Sequence, residues 1–256
     1  MTIKRLEKVY EGKAKILYAT EDPSLMIQYF KDDASAFDGI KKGIIVDKGV
    51  INNEVSNCIY QYLEKKGIKT HFVEQLNDRE TLVKRLDIIP VEVVLRNVAA
   101  GSLCKRLGVE EGKEFNPPIL EFFYKDDDLH DPLINDCHAV TFGWANQQEL
   151  DTLRKYGYKV NDLLVEYFKE RKIRLVDFKI EFGRLYSEED VRTVLADEIS
   201  PDSCRLWDTS SNEKLDKDRF RRDMGGASEA YQEVARRLGI LPEGGPNDFK
   251  GPAAMQ

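Results

Sequence analysis

A chain of 256 residues, 41% hydrophobic and 33% charged, is long enough for one large or two small domains with a buried core, which excludes disorder throughout. Its 39 Lys+Arg against 46 Asp+Glu give a net charge of −7, which disfavours a general affinity for nucleic acid and leaves anion binding to a local site. No run approaches the roughly 18–20 consecutive apolar residues of a membrane span, residues 1–8 carry charges where a secretory signal needs an apolar core, and Cys58, Cys104, Cys137 and Cys204 stand apart with no C-x-x-C pair. A soluble protein of a reducing, cytoplasmic compartment is expected.

In chain order, β structure is predicted over 7–10, 15–19 and 25–30, with turns at Glu11-Gly12 and Asp22-Pro23-Ser24. A small antiparallel sheet thus opens the protein. After Gly49 the period changes: Val55, Cys58, Ile59, Tyr62 and Leu63 recur at helical spacing, and Gly67 is placed to end the helix. Further β runs follow at 70–76, 81–89 and 91–98, then a short helix ending at Gly108. Residues 110–140, rich in Gly, Pro and Asp, read as a long surface excursion. A helix is predicted over 147–172 on the broad face of Leu150, Leu153, Val160, Leu163, Leu164, Tyr167 and Phe168. The alternating run 174–182 is a strand, with 193–199 as its hairpin partner across 183–190, and a last helix around 228–238 precedes a Pro/Gly-rich tail.

Several residues could carry chemistry. Gly12-Lys13-Ala14-Lys15 lies at a hairpin tip, where a glycine admits close approach of phosphate and two lysines supply charge; a solvated turn has the same composition. Alternation places Asp177, Lys179 and Glu181 on one strand face, about 6–7 Å apart. Asp197 and Glu198 end the partner run, so a second carboxylate could join Glu181 around a hard divalent ion; a wet sheet face of mutually paired charges is the alternative, and both stay open on these residues alone. Arg96 and Ser102 bracket a run of small residues that could receive a phosphate-sized anion, although Ser102 also suits a helix N-cap. The segment 200–208 is read as a polar turn carrying Arg205 and an aromatic anchor. His130-Asp131, Asp136-x-His138 and the run Arg219, Arg221, Arg222 read as structural or solvated groups.

Five segments together carry a family resemblance: Tyr10-Glu-Gly-Lys-Ala-Lys15, Ser35-Ala-Phe-Asp-Gly39, Ile89-Pro-Val-Glu-Val-Val-Leu-Arg-Asn-Val-Ala-Ala-Gly-Ser102, Leu175-Val-Asp-Phe-Lys-Ile-Glu-Phe-Gly183 and Asp197-Glu-Ile-Ser-Pro-Asp-Ser-Cys-Arg-Leu-Trp-Asp208. In these the chain resembles the SAICAR synthetases of purine biosynthesis, from about residue 9 to 239. The resemblance implies an α+β fold with a small N-terminal β-rich domain (1–85), a larger ATP-grasp-like domain (86–241) with nucleotide between them, and a C-terminal tail (242–256). It implies an ATP-dependent ligase that joins L-aspartate to the carboxylate of an aminoimidazole ribonucleotide, with ATP as co-substrate and Mg²⁺ as cofactor, acting as a homodimer. By the same resemblance Lys13, Ala14, Lys15, Lys179 and Glu181 would meet ATP, Glu181 and Asp197 would hold Mg²⁺, Arg96, Ser102 and Arg205 would grip the ribonucleotide phosphate, and Asp38 and Lys179 would serve at the reacting carboxylate. Phe37 is a large residue for its turn and leaves the backbone there open.

Overall fold

The computed structural model describes residues 3–36, 40–187 and 190–241; Phe37, Asp38 and the tail 242–256 lie outside the described residues. The structure is a mixed α/β arrangement of antiparallel sheets. Strands β1 (Arg5–Glu11), β2 (Lys15–Thr20) and β3 (Leu25–Phe30) form as the alternation predicts, and β2 pairs β3 from Lys15↔Phe30 to Ala19↔Met26. A hairpin of β4 (Asp33–Ala36) and β5 (Lys41–Ile44) leads into helix α1 (Lys48–Lys65), which Gly67 ends with a φ of +81°. With β6 (Phe72–Gln75) and β7 (Glu80–Lys84) the first sheet is complete, in the order β1-β2-β3-β7-β6.

The second sheet is built on β12 (Ile173–Tyr186), a strand buried on both faces over most of its length. It pairs with β9 (Val91–Val98), β13 (Val191–Ala196), β14 (Cys204–Asp208) and, at its far end, β8 (Asp87–Ile88). Helix α2 (Ser102–Leu107) follows β9. The expected surface excursion instead carries a long strand. β10 (Glu114–Tyr124) runs antiparallel to β9, and only beyond it comes a 3₁₀ turn at Asp127–Leu129, then β11 (Leu133–Ile134) and α3 (Asp136–Thr141). Its Asn116-Pro117-Pro118 stretch falls where the β9 register shifts between Glu114 and Ile119, so the prolines occupy an irregularity instead of interrupting a regular ladder.

Helix α4 (Gln147–Lys169) starts with a reciprocal cap: Asn146 accepts from the Glu149 N–H at 2.9 Å, and Glu149 accepts from the Asn146 N–H at 2.9 Å. Its face of Leu150, Leu153, Val160 and Leu164 is fully buried against β9, β10 and β12. Helices α5 (Asp218–Arg221) and α6 (Ala227–Arg237) close the chain, and α6 packs on α1. The two sheets meet where residues 69–71 run beside β13: the Leu195 N–H donates to the Lys69 carbonyl at 3.0 Å and the His71 N–H to the Leu195 carbonyl at 2.9 Å. The larger core cluster runs from the second sheet through α1 to Phe72 of the first, and a smaller one of Val98, Ala100, Val176 and Trp207 lies on the second sheet.

Gly157 lets α4 lie close to the sheet: a Cβ there would stand 3.1 Å from Leu95 Cδ2 and from Leu120 Cδ1. Gly157→Val should overpack this layer and cost about 1–3 kcal/mol. Denaturant unfolding measures it, and a variant as stable as the parent would contradict this packing.

Candidate functional site

The site rests on the register of β12 against β9. Asp177 stands opposite Arg96 and Lys179 opposite Val94, so Asp177, Lys179 and Glu181 share a sheet face with Arg96, Val94 and Glu92. At about 3.4 Å per residue this face measures roughly 14 Å from Asp177 to Glu181. Asp177, Glu181 and Glu92 are buried, which rules out the wet-face alternative: the charges are paired, but away from water.

At one end two guanidinium groups converge on one carboxylate. Arg96 Nη1 donates to Asp177 at 2.9 Å and Arg96 Nε to Glu121 at 2.7 Å. Arg205, on β14, donates through Nη1 to both Asp177 oxygens (3.1 and 2.9 Å) and through Nε to Asp218 at 2.9 Å. Burial works against the Arg205 charge, but Asp177 and Asp218 hold it more firmly than usual. Neither Nη2 makes a hydrogen bond among the described residues. Arg205 Nη2 lies against Gly101, where a Cβ would stand 2.4 Å away, and the Gly101 backbone, at φ +59° and ψ −134°, favours glycine. Ser102 follows as the first, exposed residue of α2. It is not the N-cap: Gly101 holds that place and no side chain caps the helix. The sequence thus brings Arg96, Gly101-Ser102 and Arg205 together from three elements. The segment read as a polar turn is a turn only to Ser203, after which β14 begins. Arg219, Arg221 and Arg222, read as solvated, pair with Glu213, Asp218 and Glu111.

At the other end lies a cleft between the sheets. Its inner part, about 290 Å³, is largely apolar, walled by Leu17, Met26, Val83, Leu86 and Ile88 with His71. Burial, aided by Lys15 and Lys84, pushes the His71 imidazole down to about 3, so it is neutral. The outer part, about 480 Å³, is polar; Tyr10, Lys15, Lys125, Glu181 and Asp197 line both. Gly12, Lys13 and Ala14 at the β1–β2 tip cover the outer part, and Lys13 reaches across to Asp127 at 2.7 Å. Lys15 is paired with Asp197 and with Glu198 at 3.0 Å. Lys125 and Lys179 converge on Glu181 Oε1 at 2.6 and 3.1 Å, and Lys179 also meets Glu92 at 2.5 Å.

Burial disfavours charge on Lys15, Lys125 and Lys179, yet the carboxylates around them overcome it and raise all three. Asp197 is held below its usual range because the three lysines outweigh its burial. Burial raises the Glu92 carboxyl, with Lys179 opposing. Four lysines against eight carboxylates line the outer cavity, a formal balance of −4. Every lysine has a carboxylate partner, so the lining carries no spare positive charge for a polyphosphate. No group of three or more His, Cys, Asp or Glu among the described residues could cage an ion. Glu181 and Asp197, two of the eight carboxylates, line both parts of the cleft, and oxygen donors of this kind suit a hard divalent ion.

Lys125 and Glu92 were not singled out as site residues by sequence reasoning, and Glu198 was named only beside Asp197 as a possible second carboxylate. Glu92 carried a signal, a lone carboxylate inside an apolar strand; Lys125 carried none, because it was placed in a loop. His138 caps α3 through Nδ1, in keeping with the structural reading. Asp38 lies outside the described residues.

Asp218 provides a pH test. Burial raises its carboxyl, but Arg205 and Arg221 pull it down to about 2, against 3.8 for the ordinary group. Its stabilising share is present above pH 4 and lost as the pH falls through 2, about 2 kcal/mol in size. Denaturant midpoints from pH 5 to pH 2 should fall less steeply in Asp218→Asn than in the parent; parallel curves would count against this pairing.

A model of the SAICAR synthetase family matches residues 8–238. The phosphoribosylaminoimidazole-succinocarboxamide synthase of Acidiphilium cryptum is 56% identical over 252 residues, 98% of this chain and 99% of the relative, and that of Parvibaculum lavamentivorans is 58% identical over 242 residues, 94% and 96%. Among solved structures, the same-named synthase of Ehrlichia chaffeensis superposes with a TM-score of 0.90 at 50% identity, covering 92% of this chain and all of that one. A SAICAR synthetase in complex with ADP does so with a TM-score of 0.87 at 47% identity, covering 93% and 100%.

Proposed function

The chain belongs to the SAICAR synthetase family, and from that premise we propose how its cleft and its arginine cluster divide the work of an ATP-dependent ligase of purine biosynthesis. The reaction joins L-aspartate to the carboxylate of 5-aminoimidazole-4-carboxylate ribonucleotide and yields the succinocarboxamide, ADP and phosphate. The observation that carries the assignment is the shared face of β12, with a two-arginine cluster at Asp177 and a lysine–carboxylate cluster at Glu181.

ATP takes the cleft, with its base in the apolar inner part and its phosphates in the outer part, as the ADP complex of a 47%-identical relative supports. This makes the cleft the nucleotide site of a two-domain, ATP-grasp-like enzyme, divided near residue 85. Lys13 and Lys15 approach the phosphates from the hairpin, and the Ala14 backbone lies between them. Glu181 and Asp197 would hold Mg²⁺, which supplies the positive charge that the −4 lining lacks. The ribonucleotide phosphate lies on the free Nη2 groups of Arg96 and Arg205 with the Ser102 hydroxyl. Its carboxylate then points along β12 toward Lys179, and Asp38 is assigned to the same end by the family resemblance.

A carboxylate is a poor electrophile. Transfer of the γ-phosphoryl group to its oxygen gives an acyl phosphate; the aspartate amine attacks the acyl carbon, phosphate leaves with the C–O bond electrons, and the amine gives up a proton. Lys179, held by Glu92 and Glu181, neutralises charge as it moves from ATP to the acyl oxygen. A reducing cytoplasm agrees with the four free cysteines, and a homodimer is the assembly taken from the family.

Omitting ATP, Mg²⁺, the ribonucleotide or aspartate in turn should each abolish amide formation; a stable phosphoester formed without aspartate would make the protein a kinase instead. Arg96→Lys keeps the charge but loses the fork, so the KM for the ribonucleotide should rise at least tenfold, with the KM for ATP within about twofold. A rise in the ATP constant alone would move Arg96 to the nucleotide site.

A further inference from the structure

A chain of contacts runs from Lys15 to well behind the cleft. Lys15 donates to Asp197 and forms an ion pair with Glu198 Oε1 at 3.0 Å, and Glu198 Oε2 accepts the Ser200 hydroxyl at 2.6 Å. Ser200 Oγ in turn accepts the Asp202 N–H at 3.1 Å, so its acceptor side is engaged and its one proton is committed to Glu198. Asp202 is anchored on both oxygens: Lys48 of α1, with no exposed surface, donates to Oδ2 at 2.7 Å, and the Tyr231 hydroxyl of α6 donates to Oδ1. Lys217 stands 3.5 Å from Oδ2. Burial works against charge on Asp202, but these cations hold its carboxyl far below the usual range. The Ser203 hydroxyl donates to the Glu198 carbonyl at 3.2 Å and accepts the Ser200 N–H at 3.1 Å, which staples the turn. Ser56 of α1 accepts the Ile199 N–H at 3.3 Å.

A buried lysine–aspartate pair stabilises a fold little more than apolar residues of the same shape would, so its presence here asks for another purpose. Asp202 lies five residues after Asp197 and three before Arg205, between the carboxylates that meet Lys15 and the guanidinium of the arginine cluster. We infer that Ser200 and Asp202 are positioning residues of the ligase: anchored between α1 and α6, they fix Glu198, and through it the Lys15 ammonium at the mouth of the polyphosphate cavity. The inference rests on the nucleotide reading of the cleft. It concerns groups that touch neither ATP nor the ribonucleotide, and it separates aiming of a cation from stability of the fold.

The test uses Ser200→Ala, which deletes one buried oxygen, and Ser200→Thr, which keeps the hydroxyl. Ser200→Ala should lower kcat about ten- to a hundredfold and weaken Mg²⁺-ADP binding several-fold by calorimetry. The KM for the ribonucleotide should stay within about twofold, and Ser200→Thr should recover most of both losses. A purely structural serine would lower the melting temperature of Ser200→Ala and leave kcat and ADP affinity of the folded protein unchanged, and that result overturns the inference. Should Ser200→Ala fail to fold, Tyr231→Phe removes one hydroxyl from the anchor; it should weaken ADP binding in the same direction by a smaller factor, and unchanged affinity overturns the inference equally. A parent protein that binds no ADP removes the nucleotide reading and this inference with it, whereas a parent that binds ADP and matches its variants removes the inference alone.

Discussion

The pairing of β12 with β9 puts Asp177 opposite Arg96, and much of the site follows from it. Charges on a strand buried on both faces cannot be left to water. Each therefore needs a partner from a neighbouring element: Arg205 from β14, Lys125 beyond β10, Glu92 from β9. The partners that satisfy the fold are the groups that substrates would displace. The pairing offsets the cost of burying them and keeps Lys125 and Lys179 protonated.

Charge bookkeeping then separates the two ends of the face. The arginine cluster keeps Nη2 groups that make no hydrogen bond among the described residues, and in the proposed reading these take the monoester phosphate. The outer cavity is lined by twice as many carboxylates as lysines, which disfavours a bare polyphosphate. In the proposed reading the nucleotide therefore arrives with a divalent ion, and the apolar inner part takes its base. The Lys13–Asp127 contact across the mouth is exposed and contributes little to stability, so the hairpin can exchange it for a phosphate at small cost.

Much of this was legible in the sequence. The hairpin lysines, the alternating Asp177-Lys179-Glu181 face, α1 and α4 follow from period and end signals, and the structure has them within a few residues. What was not legible depends on distant partners. β10 was hidden by Asn116-Pro117-Pro118, which signal a loop unless the bulge that accommodates them is known, and with β10 went Lys125. Ser102 also suited an N-cap because the identity of the residue does not reveal that Gly101, with its positive φ, takes that position. Glu198 could be read only as an alternative carboxylate to Asp197, because its place beside Lys15 and Ser200 depends on the turn at Ser200.

The central claim is that the cleft accepts a nucleotide by exchanging lysine–carboxylate pairs for lysine–phosphate and metal–carboxylate ones. Calorimetric titration of ADP with and without Mg²⁺, on the parent and on Glu181→Gln, tests it most directly. ADP should bind the parent at least tenfold more tightly with Mg²⁺ than without, and Glu181→Gln should lose most of that gain while its Mg²⁺-free binding stays equal or tightens. Equal affinity with and without Mg²⁺ in the parent, or a full Mg²⁺ gain in Glu181→Gln, would contradict the account.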